Sequence, residues 1–440
     1  MKKLIALMLV IVTCFSLFSC AKITQWQLEK NAIALAAEKQ ETSYTDYTNE
    51  EYKAFLVKIQ GFSARLTAKI TEKYGQSSNF AISPISVYMA LSLACECATG
   101  ETRQEILDAV GVTYEEVNKY AGKLYAYANA EYSQLGITGK NVVAYQSLNN
   151  SIWLDDSVEF VQDGVNKLAN EYNCDVFAAS VKSGEMQKLI NKYIESKTKG
   201  LIDGNIELSP ETYFVLMNTY YLKEIWNEYG KNLPFAEGLY TFKNGNGIVV
   251  DVNLLQGYYN RGKVYSGENH SVFFTTTDHN FKLYFFLPNE SSSVADIFTD
   301  ENINTVLTLK DWGYVDDENR QLHHTRVFFP EFKAEFDGDI AAILSESFGI
   351  ERLFNPNACD MSNISTSPVY CEGVVHKASL TVDKKGIEGA AVTYIPAAGA
   401  AGPPEYEEVY HDFIITGAFG FVLTDSYGTV VFSGVINNID

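Results

Sequence analysis

The amino-acid sequence predicts an α+β fold with largely antiparallel sheets in one large domain. Its 440 residues are 46% hydrophobic, which is enough to bury a sizeable core. Strand-like runs at residues 142–153, 213–222, 281–287 and 323–332 are clustered rather than alternating regularly with helical runs. Because regular alternation is typical of parallel, doubly wound sheets, this order argues against a nucleotide-binding fold of that kind.

Three segments have the apolar spacing of helices, at residues 50–72, 84–98 and 187–197. No internal repeat occurs, and no proline-rich or charged linker follows about residue 50. We therefore expect a single folded domain over residues 49–440.

The N-terminus has the features of an export signal. Two lysines follow Met1, and residues 4–18 form an apolar run of signal-peptide length that is short for a membrane span. The run ends Leu17-Phe18-Ser19-Cys20, which resembles the bacterial lipobox, whose cysteine becomes acylated. The sequence thus predicts a signal peptide over residues 1–19 and lipidation of Cys20; the alternative is an ordinary secretory signal with an incidental cysteine.

A lipidated Cys20 would anchor the protein stably in the cell envelope, because the modified cysteine carries several acyl chains. Ala21, rather than aspartate, follows it and favours the outer membrane in a cell that has one. Residues 20–48 are then a polar tether, within which residues 23–37 could form a helix. Whether the domain faces the periplasm or the exterior stays open.

The chain is strongly acidic, with a formal net charge of −21. This charge argues against nucleic acid as a partner and against direct docking on an anionic membrane surface. It favours solubility outside the cytoplasm.

The cysteines indicate neither a disulfide framework nor a zinc site. Once the leader is removed and Cys20 is lipidated, an odd number remains, without metal-ligand spacing. A Cys359–Cys371 bridge stays open as an alternative to free thiols. The remaining cysteines are Cys95, Cys97, Cys174, Cys359 and Cys371.

No catalytic motif is present, and we expect neither an enzyme nor a cofactor. The sequence lacks a Gly-x-Ser-x-Gly elbow, a His-Glu-x-x-His pair and a phosphate-binding glycine loop. His323 and His324 are adjacent but have no acidic or histidine partner at helical spacing, so they do not predict a metal site.

The most informative segment lies between residues 376 and 404. It starts as an alternating, strand-like run and continues into an uncharged stretch of small residues over 389–402. Such composition is common in linkers. Here, however, a buried hairpin is predicted to follow, with strands at 413–424 and 429–435. The stretch therefore bridges two parts of one domain, as an exposed loop that could later become a strand.

Six motifs along the chain resemble the serpin family in their order and spacing. They are spread over most of the chain, and it is their shared order and spacing that makes the resemblance specific. They are Asn79–Ser86, Asn191–Ile194 with Thr198–Gly200, Val215–Lys223 with Trp226, Pro330–Lys333, His376–Ala391 and Phe432–Asn437.

The resemblance implies a serpin fold: a large central, mostly antiparallel sheet, smaller sheets, surrounding helices and an exposed reactive loop near the C-terminus. It also implies a monomeric suicide-substrate inhibitor of serine proteases, in which the cleaved loop inserts into the main sheet. The residues that correspond to the loop hinge are Lys384, Gly386, Ile387, Glu388, Gly389, Ala390, Ala391 and Thr393.

The scissile residue follows from the family's loop spacing. Counting from Gly386 gives Ala400, whereas counting back from Phe413 gives Ala401. Either alanine would present a methyl group to the protease, so the expected targets are elastase-like enzymes with small specificity pockets.

The resemblance also identifies residues that control opening of the sheet. It implies a buried hydrogen-bonding group that holds the main sheet shut, together with Trp226 at the end of one strand and Glu331. The members of the group are Ser83, Ser86, Asn218 and His376.

Two departures from the family pattern affect the hinge. Lys384 stands where an acidic residue is usual and Glu331 where its lysine partner is usual, so we expect an ion pair with exchanged signs. Ile387 is bulkier than the usual residue, and Pro396 has no backbone N–H to donate to a neighbouring strand. Insertion of the loop into the main sheet could therefore stall at these residues.

Two other functions stay open. One is a non-inhibitory serpin that binds ligands, against which the small, uncharged hinge argues. The other is a surface lipoprotein that uses its 28 tyrosines on glycans. The aromatic residues are scattered along the chain, which favours core packing instead.

Overall fold

A computed structural model of the chain describes residues 26–36, 49–76, 78–129, 131–136, 139–226, 232–387 and 406–439. The predicted leader, Cys20 and loop residues 388–405 lie outside the described residues. The described part contains a large sheet, two smaller sheets, a two-stranded hairpin and helices packed around them.

Two sets of elements build the domain. The helices are α1 (Glu50–Tyr74), α2 (Pro84–Cys97), α3 (Gly100–Val110), α4 (Tyr114–Tyr127), α5 (Gln162–Glu171), α6 (Glu185–Lys197), α7 (Val294–Ile297), α8 (Asp300–Leu307) and α9 (Ala341–Phe348). The strands are β1 (Ala32–Ala34), β2 (Phe80–Ile82), β3 (Glu131–Gly136), β4 (Gly139–Asp155), β5 (Cys174–Ala179), β6 (Phe214–Ile225), β7 (Tyr240–Lys243), β8 (Val249–Val252), β9 (Leu254–Arg261), β10 (Tyr265–Ser266), β11 (His270–Thr276), β12 (Lys282–Pro288), β13 (Val315–Asp316), β14 (Gln321–Pro330), β15 (Phe332–Asp339), β16 (Val375–Asp383), β17 (Gly386–Ile387), β18 (Glu407–Ile414), β19 (Phe419–Thr424) and β20 (Val430–Ile436).

The large sheet has the strand order β1-β5-β4-β6-β17-β16-β15, and β3 pairs with β4 as well. Its neighbours are antiparallel except for β4 and β5. The long β4–β6 register runs from Tyr145 opposite Lys223 to Leu154 opposite Phe214. The predicted large, mostly antiparallel sheet is therefore confirmed.

A second sheet, β10-β11-β12-β19-β20-β2, packs against the first. Every residue of β19 and β20 is buried, as expected for strands covered on both faces. The third sheet has the order β13-β14-β18, and β9 also pairs with β14, in antiparallel orientation. Strand β18 runs parallel to β14.

Helix α2 crosses the core and sets the position of the buried polar group. All its residues except Ala90 are buried, which matches its nearly uniform apolar sequence. Pro84 occupies its first turn, where a missing N–H has no consequence, and Ser83 is its N-cap. The start of this helix therefore lies inside the protein, beside β16.

The predicted tether is wrong for its described part. Residues 26–31 are helical, and β1 pairs with β5 through Ala32 opposite Phe177. Leu28 is buried in the same cluster as Trp153 and Phe177. These apolar residues find a site on the edge of the large sheet, so the folded unit begins before residue 49.

The predicted C-terminal hairpin also needs a correction. Its first strand was predicted as one run over 413–424, but the chain leaves the third sheet after Ile414 and enters the second sheet at Phe419. Small residues at Gly417 and Ala418 lie at the crossing, where Gly417 bridges to Lys243. The apolar run is therefore shared by two sheets.

Two further observations concern the described residues only. No helix there is long and apolar enough to cross a bilayer. Cys359 and Cys371 are both free thiols, so the bridge left open by the sequence is absent.

Candidate functional site

The large sheet accepts the start of the predicted loop between β6 and β16. Gly386 pairs with Ile225 of β6 and with Asp383 of β16, and Ile387 pairs with Glu224 and Val382. Within the described residues, no register joins β6 directly to β16. Two strand spacings of about 4.8 Å each thus separate β6 from β16 at this end.

A tight turn returns the chain from β16 into β17. The Asp383 carboxylate accepts hydrogen bonds from the N–H groups of Lys385, at 2.7 Å, and Gly386, at 3.2 Å. Gly386 has a φ of +156°, and a Cβ there would lie 2.0 Å from the Glu224 carbonyl oxygen. Only glycine allows this close approach of the two backbones.

Ile387 is fully buried and belongs to the main hydrophobic core. The sequence suggested that its bulk could hinder insertion. At this position the core receives the side chain, so the first hinge residue after the glycine adds apolar contact.

Trp226 joins β6 to the hinge. Its indole Nε1 donates a hydrogen bond to the Asp383 carbonyl oxygen at 2.7 Å, and its ring packs edge-on against Phe329. A second connection comes from Leu233, whose N–H donates to the Lys384 carbonyl at 2.7 Å. The turn that carries the hinge is therefore held from the β6 side.

The predicted ion pair between Lys384 and Glu331 is wrong in its chemistry. The Glu331 carboxylate accepts a hydrogen bond from the backbone N–H of Lys384 at 2.9 Å. The Lys384 ammonium lies 5.8 Å from the centre of the Phe235 ring instead. Since the carboxylate already reaches the backbone of the turn, the lysine side chain is free to extend over the aromatic ring.

Three of the four members of the predicted buried hydrogen-bonding group lie together. His376 on β16 accepts, through Nε2, a hydrogen bond from the Ser83 N–H at 3.0 Å. The Ser86 hydroxyl donates to the Ser83 hydroxyl oxygen at 3.0 Å. Burial lowers the pKa of His376 to about 4, so the ring is neutral and can accept this bond.

Asn218 does not join that group, contrary to the prediction. Its side-chain amide donates to the Asn150 side-chain oxygen at 2.6 Å on the neighbouring strand β4. Asn150 in turn donates to the Tyr172 carbonyl at 2.9 Å. The Asn218 side-chain amide is thus bonded towards β4, while its side-chain oxygen is buried without a hydrogen-bond partner among the described residues.

The sequence analysis missed a buried carboxylate beside the hinge. Glu224 lies opposite Ile387, has no exposed side-chain surface, and contacts His279 Nδ1 at 3.2 Å. Burial raises the pKa of Glu224 above its usual range. A charged residue inside the apolar run from Tyr220 to Trp226 was the signal that could have indicated it.

The remaining predicted site residues lie outside the described residues. They are Cys20, Glu388, Gly389, Ala390, Ala391, Thr393, Ala400 and Ala401. In the described ranges, no group of three or more histidine, cysteine or acidic side chains could hold a metal ion.

Replacing His376 with glutamine should remove part of the acid sensitivity of the fold. The folded protein holds His376 neutral down to about pH 4, whereas an unfolded histidine takes up a proton near pH 6.5. This residue therefore contributes stability above pH 6.5 that falls by about 3 kcal/mol as the pH drops to 4. Urea unfolding at several pH values should show a smaller loss for His376→Gln than for the wild type.

Equal acid-induced losses in the wild type and in His376→Gln would contradict the role assigned to His376.

Replacing Glu331 should destabilise the hinge, whereas replacing Lys384 should have little effect. Glu331→Ala leaves the Lys384 N–H without its acceptor, and we expect a loss of about 1 kcal/mol in unfolding free energy. Lys384→Ala keeps that N–H and should change stability by less than about 0.5 kcal/mol. The double variant should equal the sum of the two, as measured by urea unfolding at neutral pH. If the change in unfolding free energy of the double variant differed clearly from that sum, the result would instead support an ion pair between Lys384 and Glu331.

Comparison with known proteins places this geometry in a family. The family model described as Serpin (serine protease inhibitor) matches residues 58–439. The putative serpin-Z5 of Oryza sativa subsp. japonica is 27% identical over 405 residues, covering 84% of this chain and 87% of its own. The alpha-1-antiproteinase of Callosciurus caniceps is 25% identical, covering 84% of this chain and 88% of its own.

Solved structures agree on the fold. Serpin48 of the insect Tenebrio molitor has a TM-score of 0.71 at 18% identity, over 89% of this chain and 100% of its own. The native thermophilic serpin tengpin has a TM-score of 0.67 at 22% identity, over 94% of this chain and 98% of its own. Human thyroxine-binding globulin, solved with its thyroxine ligand, has a TM-score of 0.68 at 20% identity, over 87% of this chain and 99% of its own. With a family model matched across nearly the whole described domain and a loop hinge seated between two strands of the main sheet, this chain belongs to the serpin family.

Proposed function

We propose that this chain inhibits serine proteases as a suicide substrate, through cleavage of its reactive loop and insertion of that loop into the large sheet. The observation that carries the proposal is the position of β17, which pairs with β6 on one side and β16 on the other. The start of the loop thus already occupies the place where a further strand would extend. Membership of a family described as serine protease inhibitors supports the same function.

The inhibitory step begins as ordinary proteolysis. The catalytic serine oxygen of the protease attacks the carbonyl carbon of the scissile residue, the peptide C–N bond breaks, and an ester joins the two proteins. The newly freed N-terminal part of the loop can then continue from β17 between β6 and β16. The acylated protease is carried along with it, before water completes the hydrolysis.

Strand insertion supplies the energy for this movement. About a dozen new backbone hydrogen bonds, at roughly 0.5–1.5 kcal/mol each, add up to about 10 kcal/mol. That is comparable to the stability of a whole domain, so it is enough to distort the active site of an attached enzyme. The chain is consumed once and acts as an inhibitor rather than a catalyst.

The specificity that we propose is for elastase-like proteases. Ala400 or Ala401 would enter the primary pocket, and an alanine methyl group fits a small pocket. No arginine or lysine occurs between Gly386 and Tyr410, which disfavours trypsin-like targets.

Two residues affect how well insertion competes with hydrolysis. Ile387 is compatible with the core, since it is already buried at the first inserted position. Pro396 has no N–H, so an inserted strand would lose one ladder bond where it lies. We expect some molecules to be cleaved and released as substrate for this reason.

We also propose that the inhibitor is a lipoprotein anchored in the cell envelope through Cys20. The lipobox-like sequence supports the anchor, and Ala21 favours the outer membrane. A tethered inhibitor would protect the surface to which it is attached. The sequence supports either a periplasmic or an exterior orientation.

Incubation with a small-pocket serine protease tests the inhibitory mechanism. We expect a covalent complex that survives denaturing electrophoresis, with cleavage after Ala400 or Ala401. Loop-cleaved protein should melt at least about 10 °C higher than intact protein, because the inserted strand adds several kcal/mol. The matched variant Ala391→Arg should be cleaved at the same bond without trapping the enzyme, because a charged side chain would have to enter the sheet.

Cleavage without a complex in the wild type, but with a raised melting temperature, would indicate a serpin that acts as a substrate. Cleavage that leaves the melting temperature unchanged would contradict loop insertion itself. It would favour the ligand-binding or glycan-binding alternatives.

Substitution of Cys20 tests the anchor. In a bacterial host, the wild type should partition into the detergent phase of a Triton X-114 extraction, because its acyl chains stay with the detergent. Cys20→Ser should partition into the aqueous phase, and Cys14→Ser is the control that should behave as the wild type. Equal partitioning of all three proteins would refute lipidation at Cys20.

A further inference from the structure

Three of the six histidines lie on the third sheet, and two of them bond to each other. His323 Nδ1 on β14 and His411 Nε2 on β18 are 2.9 Å apart. The ring planes differ by 21° and the ring centres are 5.2 Å apart, as in two nearly coplanar rings that share one hydrogen bond. One ring donates an N–H and the other accepts with a lone pair.

This bond tolerates one additional proton but not two. When both rings are protonated, both facing nitrogens carry hydrogen, and two positive charges lie side by side. His323 is only 4% exposed, so water cannot solvate its charge well. Burial is the main cause that lowers the pKa of His323, and the nearby Lys263 and His411 lower it further.

The surrounding charges do not relieve this repulsion. Lys263 follows β9, Asp316 lies on β13, and His324 is the next residue on β14. The Asp316 carboxylate already pairs with Lys263 at 3.2 Å. Hydrogen bonds from Asn319 and Lys263 lower the pKa of Asp316 to about 2, so mild acid leaves that pair intact.

The bond spans the junction that holds β18 in place. Strand β18 pairs with β14 from Glu407 opposite Gln321 to Ile414 opposite Phe328. In the described part of the chain it has no other strand neighbour, so it is an edge strand. It begins at Glu407, three residues after position 404, where the segment that contains the predicted reactive loop ends.

We propose that the His323–His411 pair is a proton-operated latch that holds β18 on β14 at neutral pH and releases it in mild acid. The latch stays closed while the pair carries no more than one additional proton, and it weakens at the lower pH at which both rings become protonated.

The latch has a consequence for inhibition, and this step rests on the proposed function. With β18 released, the C-terminal end of the uncleaved loop is no longer held at the third sheet. The loop can then enter the large sheet without cleavage, from the hinge that β17 already forms. Acid would thus inactivate the inhibitor without any protease.

Hydrogen exchange of the intact protein at pH 7.5 and pH 5, with EDTA present to exclude bridging metal ions, tests the latch directly. After correction for intrinsic rates, the amides of residues 407–414 should exchange about tenfold faster at pH 5 in the wild type. In His411→Gln, whose amide can still bond His323 but cannot take up a proton, the two rates should agree within about twofold.

His323→Gln provides a second variant with the same expectation, should His411→Gln fold poorly. His270→Gln, a buried histidine on β11 in the second sheet, is the control and should keep the wild-type response. Equal protection of residues 407–414 at both pH values, or an acid response that persists in both latch variants, would overturn the proposal.

Inhibitory activity after acid treatment separates the latch from the proposed function. The wild type, held at pH 5 and returned to pH 7.5, should form about tenfold less covalent protease complex than untreated protein, and His411→Gln should lose less than about twofold. If no complex forms under any condition, the proposed function fails, while the exchange measurement still decides the latch.

Discussion

Backbone amides and carbonyls buried in a sheet must find partners, and the large sheet is organised around this constraint. Strands β6 and β16 are both long and buried. Within the described residues, however, the backbone N–H and C=O groups on their facing edges do not pair with each other. The two residues of β17 are bonded to both strands at one end. A strand that continued from β17 would satisfy both edges along their length, and this is the physical basis of a sheet that can gain a strand.

The hinge is held by backbone contacts more than by charge. Gly386 fits because its lack of a side chain allows contact with the Glu224 carbonyl, and Asp383 orders the turn through two N–H groups. Glu331 and Trp226 likewise bond to backbone atoms of residues 384 and 383. Such contacts fix the direction of the chain without depending on which side chains follow. A loop of small residues can therefore enter the sheet behind a well-ordered start.

Buried polar groups line the same region. His376 bonds the start of α2, Asn218 bonds Asn150 on β4, and Glu224 faces His279. In a low dielectric, each of these groups is stable only while its partner is in place. Movement of β6 relative to β16 changes which partners are available. The polar groups thus set a threshold for opening that an entirely apolar interface would lack.

The sequence predicts the α+β class and the main strands, because these follow from hydrophobic periodicity, whereas the hinge residues were assigned through the resemblance to the serpin family. It fails where the outcome depends on tertiary contacts. The apolar run over 413–424 cannot show that the chain changes sheets near Gly417. The alanine-rich run that contains Ala32–Ala34 is also compatible with a helix, so its pairing with β5 does not follow from the sequence. Lys384 and Glu331 are correctly placed as neighbours. Their bonding was wrong because charge pattern does not reveal that a carboxylate meets a backbone N–H.

The two ends of the loop are held by different interactions, and this difference affects how the loop could rearrange. The N-terminal end is held by backbone pairing between two strands, which pH does not alter. The C-terminal end continues into an edge strand that bonds a single neighbour, where two histidines share one hydrogen bond. On the proposed mechanism, cleavage would free the loop in the middle, whereas protonation would act at its far end. Since an inserted strand is stabilised by the same ladder of hydrogen bonds in either case, the final sheet would be similar. On the proposed mechanism only cleavage by a protease would leave an enzyme attached, so the strength of the β14–β18 junction would determine whether insertion serves inhibition.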